Sequence, residues 1–154
     1  MTKSSRESND PMIEYVRVQS TLPYPIGLVW AVIESFGALK AWMKSIESCS
    51  LEGTGIGAVR AVTIAGQVTR ERLEDVQPAS YRVSYSLLQP HSLPATEVRG
   101  TIQLNALGPA ETHILWWSEA SNIRGPAADL SAFVERFYLE SIEGLKGLLD
   151  RGAS

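Results

Sequence analysis

Cysteine is nearly missing from this chain. Cys49 stands alone, so no internal disulfide can form, and such usage suits a reducing compartment. Histidine is scarce as well. His91 and His113 lie far apart, and neither has Cys, Asp or Glu at metal-ligand spacing on a shared element, so no metal is assigned. No apolar run nears the roughly 18 residues that a membrane-crossing helix needs. The opening stretch, MTKSSRESNDP, has no apolar h-region, which excludes a secretory signal and predicts a disordered arm over residues 1–11. No cluster of Lys and Arg stands out and the net charge is −3, so there is no electrostatic footprint for nucleic acid. No G-x-S-x-G elbow exists. The glycine-rich GTGIG at 53–57 leads into a strand pattern rather than a helix, so it reads as a turn and not a phosphate loop. Cys49 has no evident base partner and reads as a small buried side chain. The expectation is a soluble cytoplasmic protein, a monomer or homodimer, with no cofactor, no nucleic-acid partner and no membrane insertion.

What the chain does have is core material. Its 154 residues are 44% hydrophobic and 20% charged, enough for one globular domain, here residues 12–154. In residues 12–21, Ile13, Tyr15 and Val18 alternate loosely with Glu14, Arg17 and Gln19, which predicts a first strand. Pro25 suits the first turn of a helix, and Leu28, Val29, Val32, Ile33 and Phe36 continue at helical spacing. ALKAWM predicts a second short helix. Strands follow at 46–53, 58–65 and 67–76, then at YRVSYSLL, TEVRGTIQLNAL and THILWWSEA. Pro126 opens a long last helix, with Leu130, Phe133, Val134, Phe137, Leu145 and Leu148 on one side. The order is β-αα-β6-α. Six strands joined by short turns favour an antiparallel meander whose one face the last helix covers, an α+β fold.

QVTRERLEDV, residues 67–76, poses a question. It alternates with a period of two. Arg70, Arg72 and Glu74 suit water, so Thr69, Glu71, Leu73 and Asp75 should face inward. An inward face therefore carries a carboxylate. The same parity puts Val83, Tyr85 and Leu87 together, then Val98, Gly100, Ile102 and Leu104, then Ile114, Trp116, Ser118 and Ala120. A bulge would exchange Trp116 for Trp117. Phe133, Phe137 and Ser141 share a stripe of the helix. Taken singly, each apolar residue in these sets reads first as ordinary core. Tyr85 is more telling, because a buried hydroxyl seeks a partner.

The element order, with VWAVIESFGALKAW, SIESCSLEGTGIGAVRAVTIAG, TRERLEDV, YRVSYSLL and SIEGLKGLL, resembles the helix-grip superfamily. That group includes START domains, birch-pollen-allergen-like proteins, polyketide cyclase/dehydrase-like proteins and the plant abscisic acid receptors. The resemblance runs from about Tyr15 to Leu149. It implies a curved antiparallel sheet of about seven strands wrapped around the last helix, with a cavity between them for an apolar molecule. In the receptors the Glu of ERL lines that cavity, which Glu71 matches. Arg60, sharing parity with Val62 and Ile64, is implied as its neighbour, and a buried carboxylate is costly unless paired. A structural ion pair and a ligand-orienting pair are both open readings. The receptors' Lys position holds Glu47 here, so the sign is reversed and the cavity floor would carry an excess negative charge. Their longer gating loop is missing at TIAGQVT, and His91-Ser92-Leu93 matches their latch only in part. The resemblance thus implies ligand contacts from Glu47, Arg60, Val62, Ile64, Glu71, Tyr85, Leu87, Leu93 and Val98. Trp116, Phe133, Phe137 and Ser141 complete the set.

Two functions follow. One is a binding module for a lipid, polyketide or aromatic-like molecule, its polar end at Arg60, Glu71 and Tyr85. The other is a cofactor-independent cyclase or dehydratase, with Glu71 as general acid/base and Tyr85 as proton donor or orienter. A third option is an interaction or stress-related protein whose cavity is incidental.

Overall fold

The computed structural model describes residues 10–153 of the chain, so the arm expected over 1–11 falls almost wholly outside the described residues, as does Ser154. Seven strands form one antiparallel sheet. They are β1 (Ile13–Leu22), β2 (Ser48–Glu52), β3 (Val59–Ile64), β4 (Gln67–Gln77), β5 (Arg82–Leu87), β6 (Val98–Gly108) and β7 (Glu111–Ala120). Their spatial order is β1-β7-β6-β5-β4-β3-β2. Strands β2 to β7 are thus the expected meander, and β1 closes onto β7. Helix α1 (Ile26–Ile33) follows β1, and α2 (Ala127–Ala153) ends the chain and packs along the β1 side of the sheet. This is the helix-grip architecture.

Local sequence accounts for most of the boundaries. Pro25 is the residue that caps α1 in an extended conformation, one position before the helix rather than inside its first turn. Val29, Trp30 and Ile33 turn inward, while Leu28, expected on that stripe, is exposed. The second helix expected at ALKAWM shrinks to a single 3-10 turn, Leu39–Ala41. Leu39, Trp42 and Met43 are all buried around that turn, and anchoring three side chains so closely overrides a regular helix. GTGIG is the loop between β2 and β3, with positive φ at Gly53, Gly55 and Gly57. Ala65 and Gly66 make the tight β3–β4 turn, both in the left-handed region.

Bulges bend the sheet and change which side chains face inward. The β1–β7 register shifts between Glu14 and Val16. Val18 faces the core and Tyr15 packs against it, as expected, but Val16 joins the core and Ile13 is exposed, contrary to the expected alternation. A shift between Leu73 and Asp75 does the same on β4. Asp75, expected inside, leaves the inner face, and Val76 packs against the core in its place. Cys49 is only half-buried. No helix among the described residues is long and apolar enough to cross a membrane.

Candidate functional site

Between the sheet and α2 lies a cavity of about 510 Å³ that is partly open to solvent, a size ordinary for small-molecule sites. Strand alternation builds its wall. Arg60, Val62 and Ile64 reach it from β3, and Thr69 and Glu71 from β4. Tyr85 and Leu87 come from β5, Val98 from β6, and Trp116 and Ser118 from β7. Leu93 closes it from the β5–β6 loop. From α2, Val134 and Tyr138 form the buried face, whereas Phe133 sits at the rim with 59% of its surface exposed. Phe137 is half-buried beside it.

Arg60 and Glu71 are direct cross-strand partners. Glu71 Oε1 accepts from both Arg60 Nε and Nη2, each at 2.7 Å. Arg60 Nη1 donates to the Phe36 carbonyl at 3.0 Å. Its guanidinium lies 3.9 Å from the Phe36 ring centre and 4.9 Å from that of Tyr85. The cation is therefore paired, hydrogen-bonded and stacked, which is what a charge this deeply buried requires. Glu71 Oε2 takes no part in these contacts.

Next to the pair is an aromatic cluster. Trp116 Nε1 donates to the Tyr85 hydroxyl at 3.1 Å, and that hydroxyl lies 3.3 Å from the Tyr138 hydroxyl. The Tyr138 ring stacks on Trp116, centres 4.0 Å apart and planes within 12°. Gly100 makes room for Tyr85, since a Cβ there would strike the phenol end of that ring. Trp117 takes the outer face, beneath the guanidinium groups of Arg17 and Arg82. The β6–β7 register runs unbroken past this point, which settles the Trp116/Trp117 choice for Trp116.

Two expected residues lie elsewhere. Glu47 is exposed, and its Oε1 accepts from the Gly66 amide at 3.4 Å. The buried neighbour is Ile46, so alternation entering β2 turns Glu47 outward. The excess negative charge expected at the cavity floor is absent with it, because the charged residues that line the cavity, Arg60 and Arg136 with Glu71 and Glu140, balance. Ser141 is buried but does not line the cavity, and its hydroxyl donates back to the Phe137 carbonyl at 2.8 Å. It lies a turn further along α2, where Ile142 and Leu145 fill solid core. Sequence reasoning missed Tyr138, Tyr15, Leu39 and Met43. Leu130, Val134 and Tyr138 do recur every four residues, a signal masked by the more conspicuous Phe133 and Phe137.

Burial raises the pKa of Tyr85 above the ordinary phenol range, and the nearby Glu71 charge adds to it. Burial also raises Tyr138 and Tyr15. All three are neutral hydrogen-bond donors at neutral pH. Unfolding exposes these phenols, which then ionise near about pH 10. Their contribution is therefore complete below about pH 10 and declines as pH rises towards the folded values. Urea denaturation from about pH 9 to 11.5 should show stability falling above about pH 10, by about 1.4 kcal/mol per pH unit for each buried phenol. Tyr138→Phe should flatten that slope, and an unchanged slope would contradict the assignment. Among the described residues, no three His, Cys, Asp or Glu side chains gather as metal ligands.

The family model for polyketide cyclase / dehydrase and lipid transport matches residues 15–150. The chain is similar in structure to an uncharacterized protein from Bacillus thuringiensis, with a TM-score of 0.77 at 21% identity, covering 86% of this chain and 96% of that one. It is also similar to XoxI from Bacillus cereus, TM-score 0.77 at 20% identity over 89% of this chain and 98% of the other. The Zhui aromatase/cyclase from Streptomyces sp. R1128 superposes with a TM-score of 0.74 at 19% identity, covering 94% and 97%. At identities this low, the likeness shows the fold alone.

Proposed function

Since the chain belongs to the polyketide cyclase/dehydrase and lipid transport family, we propose that it binds a small, largely apolar molecule between the sheet and α2. The observation that carries this reading is the 510 Å³ cavity, whose mainly apolar wall also holds one neutralised ion pair and a row of hydroxyls. Apolar lining supplies affinity, and a few fixed polar groups supply orientation. The balanced Arg60–Glu71 pair favours a neutral ligand over a carboxylate. Native mass spectrometry of purified protein should show one small molecule per chain. Titration with 1-naphthol, read by tryptophan quenching, should saturate. Leu87→Trp, which projects a larger ring into the cavity, should weaken it by roughly tenfold or more, about 1.4 kcal/mol. Binding that Leu87→Trp leaves unchanged would place the ligand elsewhere.

A second reading has its own observation. Glu71 Oε2 is not engaged by Arg60, and Glu71 is close enough to Tyr85 to raise its pKa. In a cyclase or dehydratase acting on a polyketide-like substrate, Glu71 would move the proton and Tyr85 would hold the carbonyl. Incubation with a linear poly-β-ketone distinguishes the two. New aromatic absorbance that Glu71→Gln abolishes supports the enzyme, and unchanged substrate with retained binding supports the carrier.

A further inference from the structure

The exposed part of the cavity lining lies at one end of the sheet. Ala65 and Gln67 sit at the β3–β4 turn there, and Phe133 near the start of α2. Antiparallel pairing gathers four connections at the opposite end: the passage from β1 into α1, the β2–β3 loop, the β4–β5 turn and the β6–β7 turn. They span residues 20–28, 53–58, 77–80 and 105–110. Not one Lys, Arg, His, Asp or Glu occurs among them. In a chain that is 20% charged, segments of nine, six, four and six residues would hold about five.

Three large apolar side chains stand out of this uncharged end, and none of them lines the cavity. Leu28, Ile56 and Leu107 each leave about half or more of their surface in solvent, among exposed Pro23, Pro25, Pro78 and Pro109. Each projects from fixed backbone. Leu28 lies in the first turn of α1, its amide donating to the Pro25 carbonyl at 3.0 Å. Ile56 rides on a loop whose Gly57 and Ala58 amides donate to the Leu73 and Gly55 carbonyls at 2.8 and 3.0 Å. Leu107 is the extra residue of the bulge between Ala106 and Gly108. A single exposed leucine is ordinary, but apolar tips grouped where charge is missing are the composition of an interface core.

We propose that this end docks against the same end of a second copy of the chain, forming a back-to-back homodimer whose two cavity mouths point away from each other. Charge decides the occupant. An isologous contact brings groups near the axis against their own symmetry mates, so a charge there would meet its like, and an uncharged surface complements itself. A bilayer surface would instead reward Lys or Arg, and these segments have none. Asp150, which accepts from the Tyr24 hydroxyl at the margin, is already paired with Lys146 at 3.1 Å. Most residues of the four segments are exposed, which brings the surface close to the roughly 20–30 residues a side of a standard interface.

Sedimentation equilibrium of the purified chain from about 1 to 100 μM covers the weak end of the range for such interfaces. Wild type should pass to twice the 16.8 kDa chain mass. Leu107→Glu should weaken association about thirtyfold, the scale of a hot-spot side chain. The triple variant Leu28→Glu/Ile56→Glu/Leu107→Glu should leave only monomer. Val68→Glu, at a comparably exposed apolar position by the mouth, should leave association unchanged. All are surface changes, and thermal melts check that each variant folds. Raising salt to about 1 M should not dissociate wild type, because no ion pair spans the contact. 1-Naphthol should titrate wild type and the triple variant alike, since the mouths stay free. Wild type that remains monomeric at the highest concentration would overturn the proposal, and its co-sedimentation with phosphatidylcholine vesicles would assign this end to a bilayer instead. A dimer that persists in the triple variant, or that Val68→Glu or salt disrupts, would overturn the placement. Naphthol binding lost in the folded triple variant would overturn the back-to-back arrangement, whereas naphthol binding absent from both proteins would count against the cavity reading alone.

Discussion

Glu71→Leu is expected to destabilise the protein by about 3 kcal/mol, the lower end of the range for breaking a buried pair. The loss comes from Arg60 more than from the missing carboxylate. Arg60 is only 5% exposed, and without Glu71 it would be a cation held in an apolar wall. Its remaining contacts, to the Phe36 carbonyl and to two aromatic faces, keep the cost from the top of the range. Glu71 itself retains 16% side-chain exposure, so the reverse variant, Arg60→Leu, should be milder, because solvent screens the orphaned carboxylate. The double variant Arg60→Leu/Glu71→Leu should recover most of the stability, since two apolar side chains can replace a buried ion pair at little net loss. Urea denaturation of wild type, both singles and the double gives the coupling energy directly. A double variant as unstable as the sum of the singles would show that the pair is not coupled and that Arg60 is held by Phe36 alone. Recovery would show that the pair adds little net stability, and the naphthol titration of the double variant would then test whether it orients a ligand.

Trp116→Ala should cost about 3–5 kcal/mol, as large-to-small changes of fully buried aromatics do. Trp116 is 1% exposed, stacks on Tyr138 and touches Trp42 at a ring separation of 5.9 Å. Its removal would also leave the Tyr85 hydroxyl without the indole donor. Trp116→Phe separates these effects. It keeps an aromatic face for Tyr138 and loses the N–H, so it should cost about 1–2 kcal/mol for the hydrogen bond and the lost ring volume. Thermal or urea unfolding provides the comparison. A loss below about 1 kcal/mol for Trp116→Ala would mean that the surrounding wall collapses to refill the space. The inner end of the cavity would then be plastic rather than preformed, and the naphthol affinity of the same variant should fall with it.

Strand alternation was legible from residue types alone. In β3 and β7, and in β6 as far as Ala106, the period of two holds, so inward sets such as Arg60-Val62-Ile64 and Val98-Gly100-Ile102-Leu104 could be read directly from the chain. A carboxylate and a guanidinium on such sets of adjacent strands had few arrangements other than facing each other, because neither charge is tolerable alone inside. The turn residues and the long final amphipathic stretch likewise determined the element order and the α+β class.

Tertiary structure decided whatever depends on a break in that local rule or on a neighbour distant in sequence. Bulges at Glu14–Val16 and Leu73–Asp75 broke the parity there, adding Val16 to the core and moving Asp75 away from the inner face. Nothing in the alternation marks where an extra residue will be inserted. A helix stripe is broad, so Leu130, Phe133, Val134, Phe137 and Tyr138 all qualified. Only the docking of α2 along the β1 side made Val134 and Tyr138 the inner residues and left Phe133 at the rim. Pairing of β1 with β7 joins segments about a hundred residues apart, and it sets Tyr15 beside Ser118.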